Sequence, residues 1–236
     1  MHGLAATLDE ARAIAGDVDV QPAAARVALC PPATLIHRMA EVLAGSGVEI
    51  GGQDCRPEPQ GAFTGCVSAE MLADAGARLV ILGHSERRGY YGETSADVAA
   101  KVEAALRVGL EPIVCVGEHA DQRAAGQALD VVLEQIDQSL PDTLAERAFA
   151  VAYEPVWAIG SGHTPTIPEI EEAHGAIRAA LAARLGDAGA GAPILYGGSV
   201  NPGNAAQILA AAEVGGALVG GASLTAAQFL PIVRAA

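Results

Sequence analysis

Residues 79–88 read Leu79-Val80-Ile81-Leu82-Gly83-His84-Ser85-Glu86-Arg87-Arg88. Four apolar residues in unbroken succession fit a strand buried on both faces, because a strand wetted on one side alternates. The run stops at a glycine, and five polar side chains follow at once. A buried strand that ends in a polar cluster is the pattern of a parallel α/β sheet that carries its chemistry at the strand ends.

Runs of the same kind recur at Arg26–Cys30, Glu49–Gly52, Pro112–Val116, Phe149–Tyr153, Ile194–Tyr196 and Gly216–Val219. Longer stretches with helix signals lie between them. Ser68 is placed to cap a helix that includes Glu70 and Met71, Ser95 to cap Ala96–Leu106, and Asp121 to open a stretch reaching Leu140. Thr166-Ile167-Pro168-Glu169 matches a capping box with proline in the first turn, leading into Ala173–Leu185. Strands recur at intervals of about 20 to 40 residues, as units that return a parallel strand through a helix require. No linker or low-complexity segment divides the chain, so residues 1–236 read as one domain. Thr7-Leu8-Asp9-Glu10 is a further helix start with a capping box, and no strand is readable before it. The expected fold is a (β/α)8 barrel with seven readable strands. An open doubly wound sheet, which tolerates any strand count, is the alternative.

Composition narrows the partners. The net charge of −14 opposes nucleic acid and anionic lipid, and it leaves an anionic substrate dependent on local positive potential. Lys101 is the sole lysine. Cys30, Cys55, Cys66 and Cys115 form no C-x-x-C pair and have no histidine cluster beside them, which argues for buried free thiols in a reducing compartment and against a zinc or redox site. No stretch reaches the roughly 18 apolar residues of a membrane span, and the first residues lack a signal-peptide pattern. A soluble, cytoplasmic protein is expected.

The residues after each strand supply the site candidates. His84 alone could be a hydrogen-bonded structural histidine, but it shares its loop with Ser85, Glu86, Arg87 and Arg88. Glu154 closes the apolar run Phe149–Tyr153. A carboxylate there suits a general base, and a buried glutamate paired with an arginine is the bland alternative. Pro155 and Trp157 followed by Gly160 and Gly162 suggest a stiff-ended loop with a flexible tip, a plausible lid. Gly197-Gly198-Ser199-Val200-Asn201 and Gly220-Gly221-Ala222-Ser223 are glycine-rich strand ends that let backbone amides approach a ligand. With a helix starting near Ala222, they would make an anion site without lysine or arginine. Either glycine pair alone is a weak signal.

Together these stretches resemble the triosephosphate isomerase family, in the family order: residues 83–88, then Tyr153-Glu154-Pro155-Val156-Trp157-Ala158-Ile159-Gly160-Ser161-Gly162, then Tyr196-Gly197-Gly198-Ser199-Val200, then Val219-Gly220-Gly221-Ala222-Ser223-Leu224. Gly61-Ala62-Phe63-Thr64-Gly65 resembles the family's dimer loop, and Cys115-Val116-Gly117-Glu118 its fifth strand end. The resemblance implies a TIM barrel that interconverts dihydroxyacetone phosphate and glyceraldehyde 3-phosphate in glycolysis and gluconeogenesis. It implies Glu154 as the proton-transfer base, His84 as the neutral electrophile and Glu86 as a supporting residue. Gly160, Ser199, Gly220 and Gly221 would hold the phosphate while the Gly160 loop closes over it. It implies no metal or organic cofactor, and a homodimer in which Phe63 and Thr64 belong to the contact loop and Thr64 reaches the partner's site. An isomerase of a longer ketose phosphate, such as a tetrulose phosphate, and an impaired sugar-phosphate binder are the rival readings.

Two departures from the family pattern stand out. The family's first strand ends in Asn-x-Lys, and its lysine binds substrate charge; neither is readable here. Lys101, in the helix after Leu79–Leu82, is no replacement. The expectation is that this strand lies before Met1, and that the 236-residue chain without it is poorly soluble and at best weakly active. The dimer loop also carries Cys66 where the family usually has an acid that pairs with an arginine of the His84 loop.

Overall fold

The computed structural model describes residues 1–159 and 164–236. Seven parallel strands form one sheet in chain order: β1 (Val27–Leu29), β2 (Val48–Gly52), β3 (Leu79–Leu82), β4 (Glu111–Val116), β5 (Ala150–Tyr153), β6 (Ile194–Tyr196) and β7 (Gly216–Ala217). Among the described residues no ladder joins β1 to β7, so these are the sheet's terminal strands. The α-helices are α1 (Thr7–Val20), α2 (Ile36–Val42), α3 (Ala69–Asp74), α4 (Ser85–Tyr91), α5 (Ser95–Arg107), α6 (Ala120–Ala124), α7 (Ala128–Ser139), α8 (Ile167–Gly191), α9 (Ala205–Leu209) and α10 (Ala226–Arg234).

The unbroken apolar runs have a structural cause in the two cores. Val80, Leu82, Val114, Val116, Val151 and Ile194 face outward, into a layer shared with Val98, Val102, Ile136, Ile177 and Leu181 of the helices. Ile81, Cys115 and Ala152 face inward, packed with Cys30, Ile113, Leu195 and Leu218. Alternate residues of each strand thus enter opposite cores, so neither set is polar. The inner layer holds no aromatic side chain, in line with the small residues the strands supply.

Local sequence explains most helix ends. Thr166 caps α8 by accepting from Glu169 N–H, and the Glu169 carboxylate returns a bond to Thr166 N–H. Ser68 Oγ accepts from Met71 N–H at the start of α3. The cap of α5 is Thr94 rather than Ser95, because Thr94 has Asp97 three residues on to complete its box. The expected stretch from Asp121 to Leu140 is two helices, broken where Gly126 takes φ +73°. The capping box expected at Thr7 does not form: Ala6 is the cap residue, and Thr7 Oγ1 accepts from Leu4 N–H instead. Strands expected at Arg26–Cys30 and Gly216–Val219 pair only over Val27–Leu29 and Gly216–Ala217. Of the cysteines, Cys55 and Cys115 are buried, while Cys66 is exposed, against expectation.

Among the described residues no helix is long and apolar enough to cross a membrane.

Candidate active site

Parallel pairing brings the strand ends to one level. Val116 pairs Tyr153, Tyr153 pairs Tyr196, and Tyr196 pairs Ala217. Glu154 therefore emerges one residue past this level, and Ser199 and Gly220 each emerge three residues past it. His84 lies two residues beyond Leu82, which pairs Val114.

Gly83 adopts φ +69°, a turn that glycine makes without strain. It ends β3 and lets His84 serve as the N-cap of α4. The His84 ring folds back so that Nδ1 accepts from Glu86 N–H at 3.2 Å. A nitrogen that accepts a hydrogen bond holds no proton, so this geometry suits a ring whose proton is on Nε2. That Nε2 lies 3.1 Å from Glu154 Oε1.

Glu154 is only 1% exposed. Its Oε2 accepts from Ser85 N–H at 2.9 Å, and its Oε1 accepts from Ser85 Oγ–H at 2.9 Å. Cys115 lies beneath it, and burial together with the Glu154 charge pushes that thiol well up. The backbone is held as tightly: Glu154 N–H donates to Val116 O at 2.8 Å. Gly117 runs so close that a Cβ there would sit 1.8 Å from the Glu154 carbonyl oxygen.

Arg88 anchors the His84 loop. Its Nε donates to Gly83 O, Nη1 to Ser95 Oγ, and Nη2 to Cys115 O and Ser139 Oγ. Glu86 contributes its backbone amide rather than its carboxylate, which is exposed and unbonded among the described residues.

Among the described residues the amides of Ser199, Gly220 and Gly221 donate to no protein acceptor. A Cβ added at Gly220 or Gly221 would meet no protein atom within 4 Å. The helix expected near Ala222 is a 3-10 turn over Gly221–Ser223, and the next α-helix, α10, begins at Ala226. A helix dipole at Ala222 is thus smaller than the sequence suggested. Gly160 and the lid expected around it lie outside the described residues.

Phe63 and Thr64 sit on the exposed loop between β2 and α3. The Arg56 guanidinium lies over the Phe63 ring at 4.0 Å, and the loop's stem is closed by Arg56 N–H donating to Val67 O. No hydrogen bond or ion pair joins this loop to His84 or Glu154 among the described residues. Lys101 is buried in α5 and paired with Asp54 at 2.7 Å and Glu93 at 2.5 Å, with no hydrogen bond or ion pair to His84 or Glu154 among the described residues. Arg87 of the His84 loop takes the same two acids, Asp54 at 2.9 Å and Glu93 at 2.8 Å.

Sequence reasoning missed three contributors. Ser85 and Arg88 were seen only as members of a polar loop, and Glu118 only as part of a motif. Glu118 is fully buried, and its Oε1 accepts from Trp157 Nε1 at 2.7 Å and Tyr153 Oη at 3.2 Å. A signal existed for each, since all follow strand ends. Among the described residues there is no group of three or more His, Cys, Asp or Glu side chains placed to hold a metal.

A family model described as Triosephosphate isomerase matches residues 2–236. A triosephosphate isomerase of Caulobacter vibrioides is 59% identical over 235 residues, covering 100% of this chain and 93% of the relative. One of Hyphomonas neptunium is 54% identical over 236 residues, covering 100% of this chain and 95% of the relative. The crystal structure of triosephosphate isomerase from Bartonella henselae superposes with a TM-score of 0.92 at 44% identity, covering 100% of this chain and 94% of that one. The fold is therefore the TIM barrel, and the chain belongs to the triosephosphate isomerase family.

Proposed function

We propose that the chain interconverts dihydroxyacetone phosphate and D-glyceraldehyde 3-phosphate by moving a proton between adjacent carbons. The observation that carries this reading is the contact of Glu154 with His84: a buried carboxylate facing the protonated nitrogen of a neutral imidazole. The Glu154 carboxylate takes the proton from the carbon beside the carbonyl. The carbon–hydrogen electron pair moves into a carbon–carbon double bond, and charge develops on the carbonyl oxygen. His84 Nε2–H hydrogen-bonds that oxygen, which takes up the proton of the neighbouring hydroxyl. The oxygen that loses this proton becomes the new carbonyl as the double bond's electron pair takes the proton back from protonated Glu154 at the former carbonyl carbon. A neutral imidazole suits this work because it stabilises the oxyanion without being a strong acid.

Glu154 spends its resting bonds on Ser85. For the reaction it exchanges those bonds for the substrate carbon. The unpartnered amides of Ser199, Gly220 and Gly221 suit a phosphate, which a chain of net charge −14 would otherwise repel. Gly160 completes the set by resemblance alone. The exposed loop with Phe63 and Thr64 supports a homodimer in which Thr64 approaches the partner's site.

Steady-state kinetics with the triose phosphates and with a tetrulose phosphate test the reading. Turnover of the triose pair with higher kcat/KM is expected. A preference for the four-carbon substrate, or no turnover of either, would refute it.

A further inference from the structure

Arg123, in α6, stands apart from the reacting groups yet touches both flanks of the segment that leaves Glu154. Its guanidinium carbon lies 4.4 Å from the centroid of the Trp157 ring. Its Nη1 is 3.4 Å from Glu118 Oε1, and its Nη2 is 2.5 Å from Glu169 Oε1. On one flank, Glu118 holds the Trp157 indole and the Tyr153 hydroxyl through Oε1, and its carbonyl accepts from Val156 N–H at 3.1 Å. On the other, Glu169 is the carboxylate of the box that opens α8.

Glu118 is fully buried, and its Oε2 has no partner among the described residues. A buried carboxylate loses its hydration, and a neighbouring cation offsets that loss. Arg123 is that cation. Arginine suits the place better than lysine, because its plane stacks on an indole while its fork reaches two carboxylates.

We propose that Arg123 is a positioning residue for Glu154: by compensating Glu118 and stacking on Trp157, it fixes the Val156–Ala158 turn and so the backbone that carries the base. Its kinetic consequence rests on the isomerase reading, but its spectroscopic one does not. Trp157 is the chain's single tryptophan, so tryptophan emission reports the surroundings of this one ring.

The test compares Arg123→Met, Arg123→Lys and the double variant Arg123→Met/Glu118→Gln with the parent chain. Arg123→Met is expected to red-shift the Trp157 emission and increase its quenching by acrylamide. Its kcat should fall about 10- to 100-fold with KM changed by less than about threefold, since a displacement of about 1 Å at a catalytic group has that order of effect. Arg123→Lys should fall in between. The double variant should recover a large part of the lost kcat, because a neutral amide at position 118 still accepts from Trp157 and needs no cation. Unchanged kcat in Arg123→Met would overturn the proposal. So would a loss that tracks a lower melting temperature and is not recovered in the double variant, since that pattern belongs to packing alone. If the parent chain isomerises neither triose phosphate, the functional reading fails on that result. The emission shift in Arg123→Met and its partial reversal in the double variant then decide the Arg123 contact by themselves.

Discussion

Ser85 grips both oxygens of Glu154, its backbone N–H on Oε2 and its hydroxyl on Oε1, each at 2.9 Å. Two donors from one residue fix the plane of a carboxylate as well as its position. The carboxylate must therefore reach from β5 by the full length of a glutamate side chain. Glu154→Asp shortens that reach by one methylene. It should lower kcat by about 10²-fold or more while circular dichroism and melting temperature stay close to the parent, because reacting atoms tolerate about 1 Å of error poorly. Normal turnover by this variant would remove Glu154 from the role of base.

The His84 tautomer is set by Glu86 N–H, which points at Nδ1. Nitrogen NMR on the folded chain should find the His84 proton on Nε2 and an unprotonated Nδ1. His84→Gln keeps a donor but loses this fixed geometry, and kcat should fall by about 10²–10³, the usual effect of losing one preorganised oxyanion donor. A proton found on Nδ1 would rule out the arrangement.

Much of this was readable in the chain. The strands stood out because both faces of each enter a core, which leaves no polar residue to interrupt the run. Their ends did not, since pairing at β1 and β7 depends on neighbours far away in sequence. Thr94 rather than Ser95 is the cap because only Thr94 has an acid three residues on, a signal present in the sequence. Gly126 was likewise the visible break between α6 and α7. His84 and Glu154 were legible as polar residues closing apolar strands. Ser85's hold on Glu154 was not, because it joins residues 69 apart in the chain. The 3-10 turn at Gly221–Ser223 resembles a helix start in sequence because glycine-rich strand ends commonly precede one.

The phosphate reading has a clean probe in Gly221. Its φ is not in the left-handed region, and an added Cβ meets no protein atom. Gly221→Val should therefore leave stability within about 0.5 kcal/mol, as at an ordinary surface position. It should still weaken inhibition by inorganic phosphate and by a phosphoglycolate-type analogue. Unchanged affinity for both would place the anion elsewhere.

His174 gives the fold a pH dependence. The ring is buried between Tyr153 and Tyr196, with Nδ1 donating to Glu213 O at 3.1 Å. Burial holds its imidazole below the ordinary value. In the unfolded chain it titrates near pH 6.5. Below that pH the unfolded state binds a proton that the folded state refuses, so stability falls as pH falls, by up to about 1.4 kcal/mol per unit. Urea unfolding at pH 7.5 and at pH 5.5 should show a smaller loss for His174→Gln, which cannot take up the proton. Equal losses in the two proteins would acquit His174.

Gly117 carries the tightest constraint beside the site. It follows β4, and its peptide is clamped by Gln135, whose Oε1 accepts from Gly117 N–H at 2.8 Å and whose Nε2 donates to Gly117 O at 3.0 Å. The clamp prevents this strand end from retreating. On its other side lies the Glu154 backbone, where a new Cβ would come 1.8 Å from the carbonyl oxygen and 2.7 Å from the carbonyl carbon. Backbone atoms cannot swing aside as a side chain can, so Gly117→Ala must push the end of β5 away. Overpacking of this kind costs about 1–3 kcal/mol. Glu154 N–H donates to Val116 O, so the same push loosens the bond that seats the base. Gly117→Ala should thus lower the melting temperature by several degrees and also reduce kcat in the molecules that remain folded. Gln135→Ala releases the clamp without adding an atom near Glu154. Placed in the Gly117→Ala background, it should recover part of kcat by letting β4 yield. Gly117→Ala with parental stability and parental kcat would show that the strand ends are not held this closely.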